Sequence, residues 1–203
     1  MSVVVDVERA ARLVLEGQVV AYPTETVYGL GVDAGSDSAL ERLYALKGRD
    51  AAKGVAVLVT GVDELAERVP ELPAAARRLA ELHWPGPLTL VLPAVGFDSV
   101  RSERGVGFRC SPHPTAAALL RATGRPLVST SCNRSGSEPC RTAGEVERTF
   151  GEELCVAGGE PAGGARPSTV VAVAANGALE LLREGAIPFL ELLEPERSEQ
   201  EST

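Results

Sequence analysis

A chain of 203 residues, 44% apolar and 24% charged, has the size and balance of one globular α/β domain, and its 4% aromatic content leaves Leu, Val and Ala to fill the core. A formal net charge of −8 argues against a general nucleic-acid or anionic-membrane surface while leaving room for a local basic groove. No apolar run approaches the ~18–20 residues of a membrane span, and "MSVVVDVERA" has no basic region followed by an apolar core, so neither a membrane helix nor a secretory signal is expected and the chain reads as cytoplasmic.

The stretch "VDVERAARLVLEG" predicts a helix ending at Gly17, followed by a buried strand over 18–22. "SALERLYALKGR" is an amphipathic helix in which Ser38 and Glu41 have capping-box spacing and Leu40, Leu43, Tyr44 and Lys47 share a face. "GVAVLVT" reads as a short buried strand, "VDELAERV" and "PAAARRLAELH" as helices, and "GPLTLVLPA" and "GVGFRC" as strands on either side of a polar loop. "PTAAALLRATG" has Pro at the start and Gly past the end of a helix. "RPLVSTS" is a strand running into the loop "CNRSGSEPC", and "TAGEVERTFG" is a short capped helix. "ELCVAGG", "STVVAVA" and "ALELLREG" are three more strands, the last two joined by the hairpin signal Asn176-Gly177. Strands and helices mix without strict alternation. The expected architecture is therefore α/β: one twisted, mixed sheet flanked by helices over residues 1–194, with no internal repeat. Residues 195–203, the end of "LELLEPERSEQEST", are expected to form a disordered acidic tail.

Three polar clusters interrupt this pattern. In "AYPTETVYGLGVDA" (21–34) the triplet Thr24-Glu25-Thr26 sits inside a strand-like run that also holds Gly29 and Gly31. The segment from Gly29 to Ala34 formally matches G-x-G-x-x-A, but a dinucleotide fingerprint needs its glycines at a helix N-terminus, and the next helix begins only near Ser38. "LKGRDAAKG" places Lys47, Arg49 and Lys53 at a helix C-terminus and in the loop after it, and "STSCNRSG" places Ser129, Thr130, Ser131, Asn133 and Ser135 after an apolar strand. Singly, each cluster has a plain structural explanation: cations meet the helix dipole, Ser and Asn make turns, Thr suits strands. Together they describe a pocket for anions and a small polar substrate. Four cysteines (Cys110, Cys132, Cys140, Cys155) without a C-x-x-C pair, and only His83 and His113 beside them, argue for reduced thiols rather than zinc.

The blocks "YPTETVYGLG", "LKGR", "WPGPLTLVLPA", "VGFRCSPHP", "PLVSTSCNRSG" and "CRTAGEVERTFG" resemble, in order, the YrdC/TsaC family of threonylcarbamoyl-AMP synthases, in its short, single-domain form. The resemblance runs from about residue 7 to about residue 190. It implies a twisted open sheet with a large concave cavity. It also implies a reaction of L-threonine, bicarbonate or CO2, and ATP with Mg²⁺ that yields threonylcarbamoyl-AMP and pyrophosphate. The product serves N6-threonylcarbamoyladenosine formation at tRNA position 37, through a downstream tRNA-modification transferase complex; the family's positively lined cavity could also accept tRNA weakly, and the net charge of −8 argues against tight nonspecific binding.

By the same resemblance, Lys47-Gly48-Arg49 and Ser131-Cys132-Asn133 match the family's ATP-site K-x-R and S-x-N motifs, with Lys47 and Arg49 catalytic. Lys53, Cys140 and Arg183 match further nucleotide positions. Thr26, Arg109, Ser129 and Ser168 match the threonine pocket. No metal-ligand residue is implied. Asp50 stands where Pro is common, Cys132 where Ala is usual, and Leu58 where a family His falls. Two other readings stand beside this one. The first is a non-catalytic RNA-binding module in tRNA or rRNA maturation. The second is a carbamoyl-transfer enzyme like the hydrogenase-maturation proteins, whose zinc-finger and acylphosphatase modules are not visible here.

Overall fold

A computed structural model describes residues 3–94, 96–158 and 166–193. The acidic tail expected over 195–203 lies outside these residues. In chain order the elements are β1 (Val3–Val5), α1 (Val7–Leu15), β2 (Val20–Pro23), β3 (Tyr28–Gly31), α2 (Asp37–Lys47), β4 (Ala56–Leu58), α3 (Val62–Arg68) and α4 (Ala74–His83). There follow β5 (Leu88–Leu92), β6 (Val106–Arg109), α5 (Pro114–Thr123), β7 (Leu127–Ser131), α6 (Ala143–Phe150), β8 (Cys155–Ala157), β9 (Thr169–Val173), β10 (Leu179–Arg183) and α7 (Phe189–Leu193). Among the described residues no helix is long and apolar enough to cross a membrane.

Among the described residues ten strands form one mixed sheet in the order β1-β8-β2-β3-β7-β4-β6-β5-β9-β10. Its centre is buried on both faces. Along β2, β4 and β7, alternate residues belong to different clusters: Val20, Tyr22, Leu58 and Leu127 pack with α1 and α5, while Ala21, Val57 and Val128 pack with the larger core that takes in α2, α3, α4 and α6. Strands apolar on both faces lose the apolar–polar alternation, which explains why these segments read as continuous hydrophobic runs.

Local signals set most helix ends. Pro114 opens α5 and Gly124, at φ 59°, closes it. Thr142 and Glu145 form a reciprocal capping box on α6. The cap of α2 differs from the expected one. Ser36, not Ser38, is the N-cap and accepts from the Ala39 N–H at 3.4 Å, so the Ser38/Glu41 spacing marks no box. Two elements were not legible: β1, three residues whose parallel pairing with β8 is 152 positions away (155 − 3), and the short α7. Asn176-Gly177 does join β9 and β10. The connection is a three-residue loop with Gly177 at φ 84° and no non-glycine residue at positive φ.

The strand-like run over 21–34 is two strands. β2 and β3 pair antiparallel, Tyr22 opposite Gly29 and Val20 opposite Gly31, and residues 24–27 are the hairpin connection. Thr24 makes the turn: its hydroxyl donates to the Val27 carbonyl at 2.6 Å and accepts from the Thr26 and Val27 N–H groups at 3.2 and 3.3 Å. Gly29 and Gly31 have no unusual φ. A Cβ at 31 would lie 2.8 Å from Tyr22 Cε1 and one at 29 would lie 3.0 Å from Tyr22 Cζ. The glycines therefore make room for a buried ring across the hairpin.

Candidate active site

The face of the sheet that carries α1 and α5 over β2 and β8 is hollowed farther along into a cavity of about 360 Å³. Small residues in register make its floor. Ser129 stands opposite Ala56, Ala56 opposite Gly107, and Gly29 opposite Ser131. At Gly107 a Cβ would approach Thr89 Cγ2 to 3.3 Å, so the hollow depends on glycine there. The rim comes from the 24–29 hairpin, from Arg49, Lys53 and Gly54 after α2, and from Ser168 and Arg183 on the far side.

Three guanidinium groups face this cavity, those of Arg49, Arg109 and Arg183, together with Lys53, and among the described residues no carboxylate lines its wall. Arg49 Nη2 donates to the Gly54 and Lys53 carbonyls at 2.8 and 3.3 Å. Arg183 is held by the Ser168 carbonyl (2.9 Å) and hydroxyl (3.2 Å), and that hydroxyl pairs with Thr89 Oγ1 at 2.9 Å. Burial, then the charges of Arg109 and Arg49, lower the Arg183 pKa; burial does the same to Arg49. Like charges pushed together out of water are stabilised by an incoming anion. The two buried side-chain polar atoms without a partner among the described residues are Arg49 Nε and Arg109 Nε, both in residues of this cavity. A buried donor left unpaired is costly, so both guanidinium groups are held at some expense to the fold.

Arg109, at the end of β6, is positioned by the hairpin loop. Its Nη2 donates to Thr26 Oγ1 at 2.9 Å and to the Glu25 carboxylate. Behind Ser131, Lys47 ends α2 and is only 2% exposed. Its ammonium donates to the Ser131 carbonyl and, at 3.1 Å each, to the carbonyl and Oδ1 of Asn133. Ser131 Oγ donates to the same Asn133 Oδ1 at 2.7 Å, and the Ser135 N–H returns to the Lys47 carbonyl at 2.7 Å. The helix end and the loop after β7 are thereby clasped into one unit.

A family model named Sua5_yciO_yrdC, described as "Telomere recombination", matches residues 12–185. The chain belongs to the Sua5/YciO/YrdC family. Among curated relatives, a threonylcarbamoyl-AMP synthase of Marinobacter nauticus is 40% identical over 167 residues, which cover 80% of this chain and 88% of that one. One of Escherichia coli O1:K1 / APEC is 39% identical over 166 residues, 76% of this chain and 84% of that one. Among solved structures, P. abyssi Sua5 complexed with L-threonine superposes with a TM-score of 0.83 at 34% identity, covering 92% of this chain and 56% of that one. E. coli YciO superposes with a TM-score of 0.79 at 25% identity, covering 95% of this chain and all of that one. The open sheet flanked by helices that the sequence implied is the fold of this family.

Of the residues that the Sua5/YciO/YrdC resemblance singled out, Thr26, Arg49, Lys53, Arg109, Ser129, Ser131, Ser168 and Arg183 line the one cavity. Lys47, Asn133 and Cys140 are not on its wall. Lys47 and Asn133 are paired behind Ser131. Cys140 is buried, with its N–H on the Cys132 carbonyl at 2.8 Å and its Sγ 3.5 Å from Thr149 Oγ1. Leu58, where a family His falls, packs in the apolar cluster under α1 and α5. Sequence reasoning did not single out Thr89, Tyr22 or Ser111. The Tyr22 phenol is pushed up to about 12, chiefly by burial, with Ser129 as a hydrogen-bonding neighbour. Among the described residues no group of three His, Cys, Asp or Glu side chains is arranged to hold a metal ion. Among the described residues the wall also carries no carboxylate of the kind that holds a resident Mg²⁺.

Proposed function

We propose that this chain is a threonylcarbamoyl-AMP synthase. The observation that carries the reading is the cavity in which three arginines and a lysine stand beside hydroxyl-bearing residues. Relatives at about 40% identity bear the synthase name, and that favours it over a non-catalytic RNA-binding module.

Arg49, Lys53 and Arg183 hold the triphosphate of Mg–ATP electrostatically, and Ser131 with Asn133, locked by Lys47, shapes the nucleotide side. Arg109 takes the carboxylate of L-threonine. Thr26, Ser129 and Ser168 receive its polar groups. The threonine amine adds to CO2 to give a carbamate and a proton. A carbamate oxygen then attacks the α-phosphorus in line, forming a P–O bond as the bond to pyrophosphate breaks. No protein nucleophile is required. The chain's own work is to bring two anions together, which needs fixed cations, and to orient them, which needs a rigid floor. Bicarbonate supplies the CO2. The product passes to a transferase acting on tRNA position 37, and the reaction is placed in the cytoplasm, where ATP and tRNA are. With a net charge of −8, direct tRNA binding is weak and lost with salt.

Incubation with ATP, L-threonine and ¹³C-bicarbonate, followed by mass spectrometry, tests the reading. A threonylcarbamoyl-AMP ion one mass unit heavier than with ordinary bicarbonate is expected. AMP and pyrophosphate without a labelled adduct, formed equally without threonine, would contradict it.

A further inference from the structure

Of the triplet Thr24-Glu25-Thr26, the two threonines line the cavity and the glutamate does not. Its carboxylate turns behind the wall, where both oxygens are used: one accepts from Arg109 Nη2, the other from Ser111 Oγ at 2.6 Å. Ser111 Oγ also accepts the His113 N–H at 3.2 Å. Ser111 borders a second cavity of about 250 Å³ and is absent from the wall of the first. The Glu25 carboxylate, with Ser111 behind it, therefore meets a residue of the substrate cavity at Arg109.

We propose that Glu25, backed by Ser111, is a positioning residue that aims Arg109 at the carboxylate of the amino-acid substrate. The proposal rests on the reading of Arg109 given above. Arginine has a long, rotamer-rich side chain, and a bidentate grip on a carboxylate needs its plane fixed beforehand. Here one terminal nitrogen is pinned, by Glu25 and by Thr26 Oγ1 at 2.9 Å, while Nε is buried and without a partner among the described residues. The side chains of Arg109 and Glu25 are 10% and 17% exposed, so solvent does little to loosen the pair. A guanidinium freed from this anchor would have to be ordered by each arriving substrate, and a displacement of about 1 Å can cost on the order of 100-fold. The anchoring acts through geometry. An amide at position 25 keeps it: the amide oxygen accepts from Arg109 and the NH2 donates to Ser111 Oγ.

The test is steady-state pyrophosphate release by the full chain, with threonine and ATP varied separately. Glu25→Ala is expected to lower kcat/KM for threonine at least tenfold, through KM, and to leave the KM for ATP within about twofold. Glu25→Gln recovers most of that loss. In an Arg109→Ala background the further change Glu25→Ala has an effect of no more than about twofold, because the residue acts through the arginine. If Glu25→Ala does not fold, Ser111→Ala decides alone, by a threefold or larger rise in the KM for threonine. An unchanged KM for threonine, equal losses in Glu25→Ala and Glu25→Gln, or an undiminished effect without Arg109 would overturn the proposal. If the unaltered chain shows no threonine-dependent release at all, the functional reading falls first. Normal release by that chain with insensitivity at Glu25 removes only this inference.

Discussion

The Lys47 ammonium lies 3.1 Å from Asn133 Oδ1, joining the last residue of α2 to the loop after β7 through a buried, charge-assisted hydrogen bond. The same nitrogen serves two backbone carbonyls. Lys47 thus holds the nucleotide side of the cavity in shape, and its charge stands just behind Ser131.

That charge titrates within reach. Burial, and then the nearby Arg49, lower the Lys47 pKa from 10.5 to about 8. In the unfolded chain the amine keeps its proton up to about 10.5, so between pH 8 and 10.5 the unfolded state binds more protons. The stability contributed by Lys47 therefore rises with pH across that window. Activity moves the other way, because the cation is lost. The profile of kcat/KM for ATP, which reports the free enzyme, is expected to fall as pH passes 8. Over the same range the unfolding free energy of the native chain should rise relative to Lys47→Met. A rate profile flat to pH 9.5, or a stability difference that does not change, would contradict the depressed ammonium.

Removing a fixed cation from the triphosphate cradle weakens the transition state more than the fold. Arg49→Ala or Arg183→Ala is expected to lose roughly 100-fold in kcat/KM for ATP, within the ~2.7–4 kcal/mol typical of a lost oxyanion donor. Steady-state kinetics on each variant, with thermal unfolding as control, checks this. Near-normal turnover in both would remove the assignment.

The side-chain hydroxyl of threonine should be read by Thr26 and Ser168. Ser168 Oγ is already placed by Thr89 and Arg183, and Thr26 Oγ1 by Arg109. A site built to pair a hydroxyl leaves buried polar groups unpaired when the hydroxyl is missing. Valine in place of threonine is expected to lower kcat/KM by at least about 100-fold. Equal turnover with valine would show that the hydroxyl is not read.

Gly31→Ala would place a Cβ 2.8 Å from Tyr22 Cε1, inside van der Waals contact, while Leu127 Cδ1 closes the other side at 3.2 Å. The expected cost is about 1–3 kcal/mol of stability. A smaller residue at 22 should recover part of it, so Tyr22→Leu with Gly31→Ala should be less destabilised than the sum of the two changes. Denaturant unfolding measures both. Simple additivity would mean that ring and glycine are not in conflict.

What the sequence made legible is what is local. Pro114 and Gly124 bracket α5 because caps depend on adjacent residues, and Thr142 with Glu145 opens α6 for the same reason. Gly29 and Gly31 read as permissive backbone, but their cause is a ring on the neighbouring strand, which periodicity does not reveal. Motif resemblance singled out Lys47 and Ser131-Cys132-Asn133. That the lysine ammonium is taken up by oxygens 84 and 86 positions away is a property of the folded clasp. Glu25 stood in view in its polar triplet. Its partners, Arg109 and Ser111, are also 84 and 86 positions away, and only the hairpin brings them together.

Pyrophosphate release from Mg–ATP, measured with threonine and bicarbonate supplied together and each withheld in turn, tests the shared cavity most directly. Release that needs both, and that falls roughly 100-fold in Arg49→Ala and in Arg109→Ala alike while staying measurable, is the predicted result. Release that continues without threonine, or that is indifferent to the loss of Arg109, would contradict a single basin holding the nucleotide and the amino acid side by side.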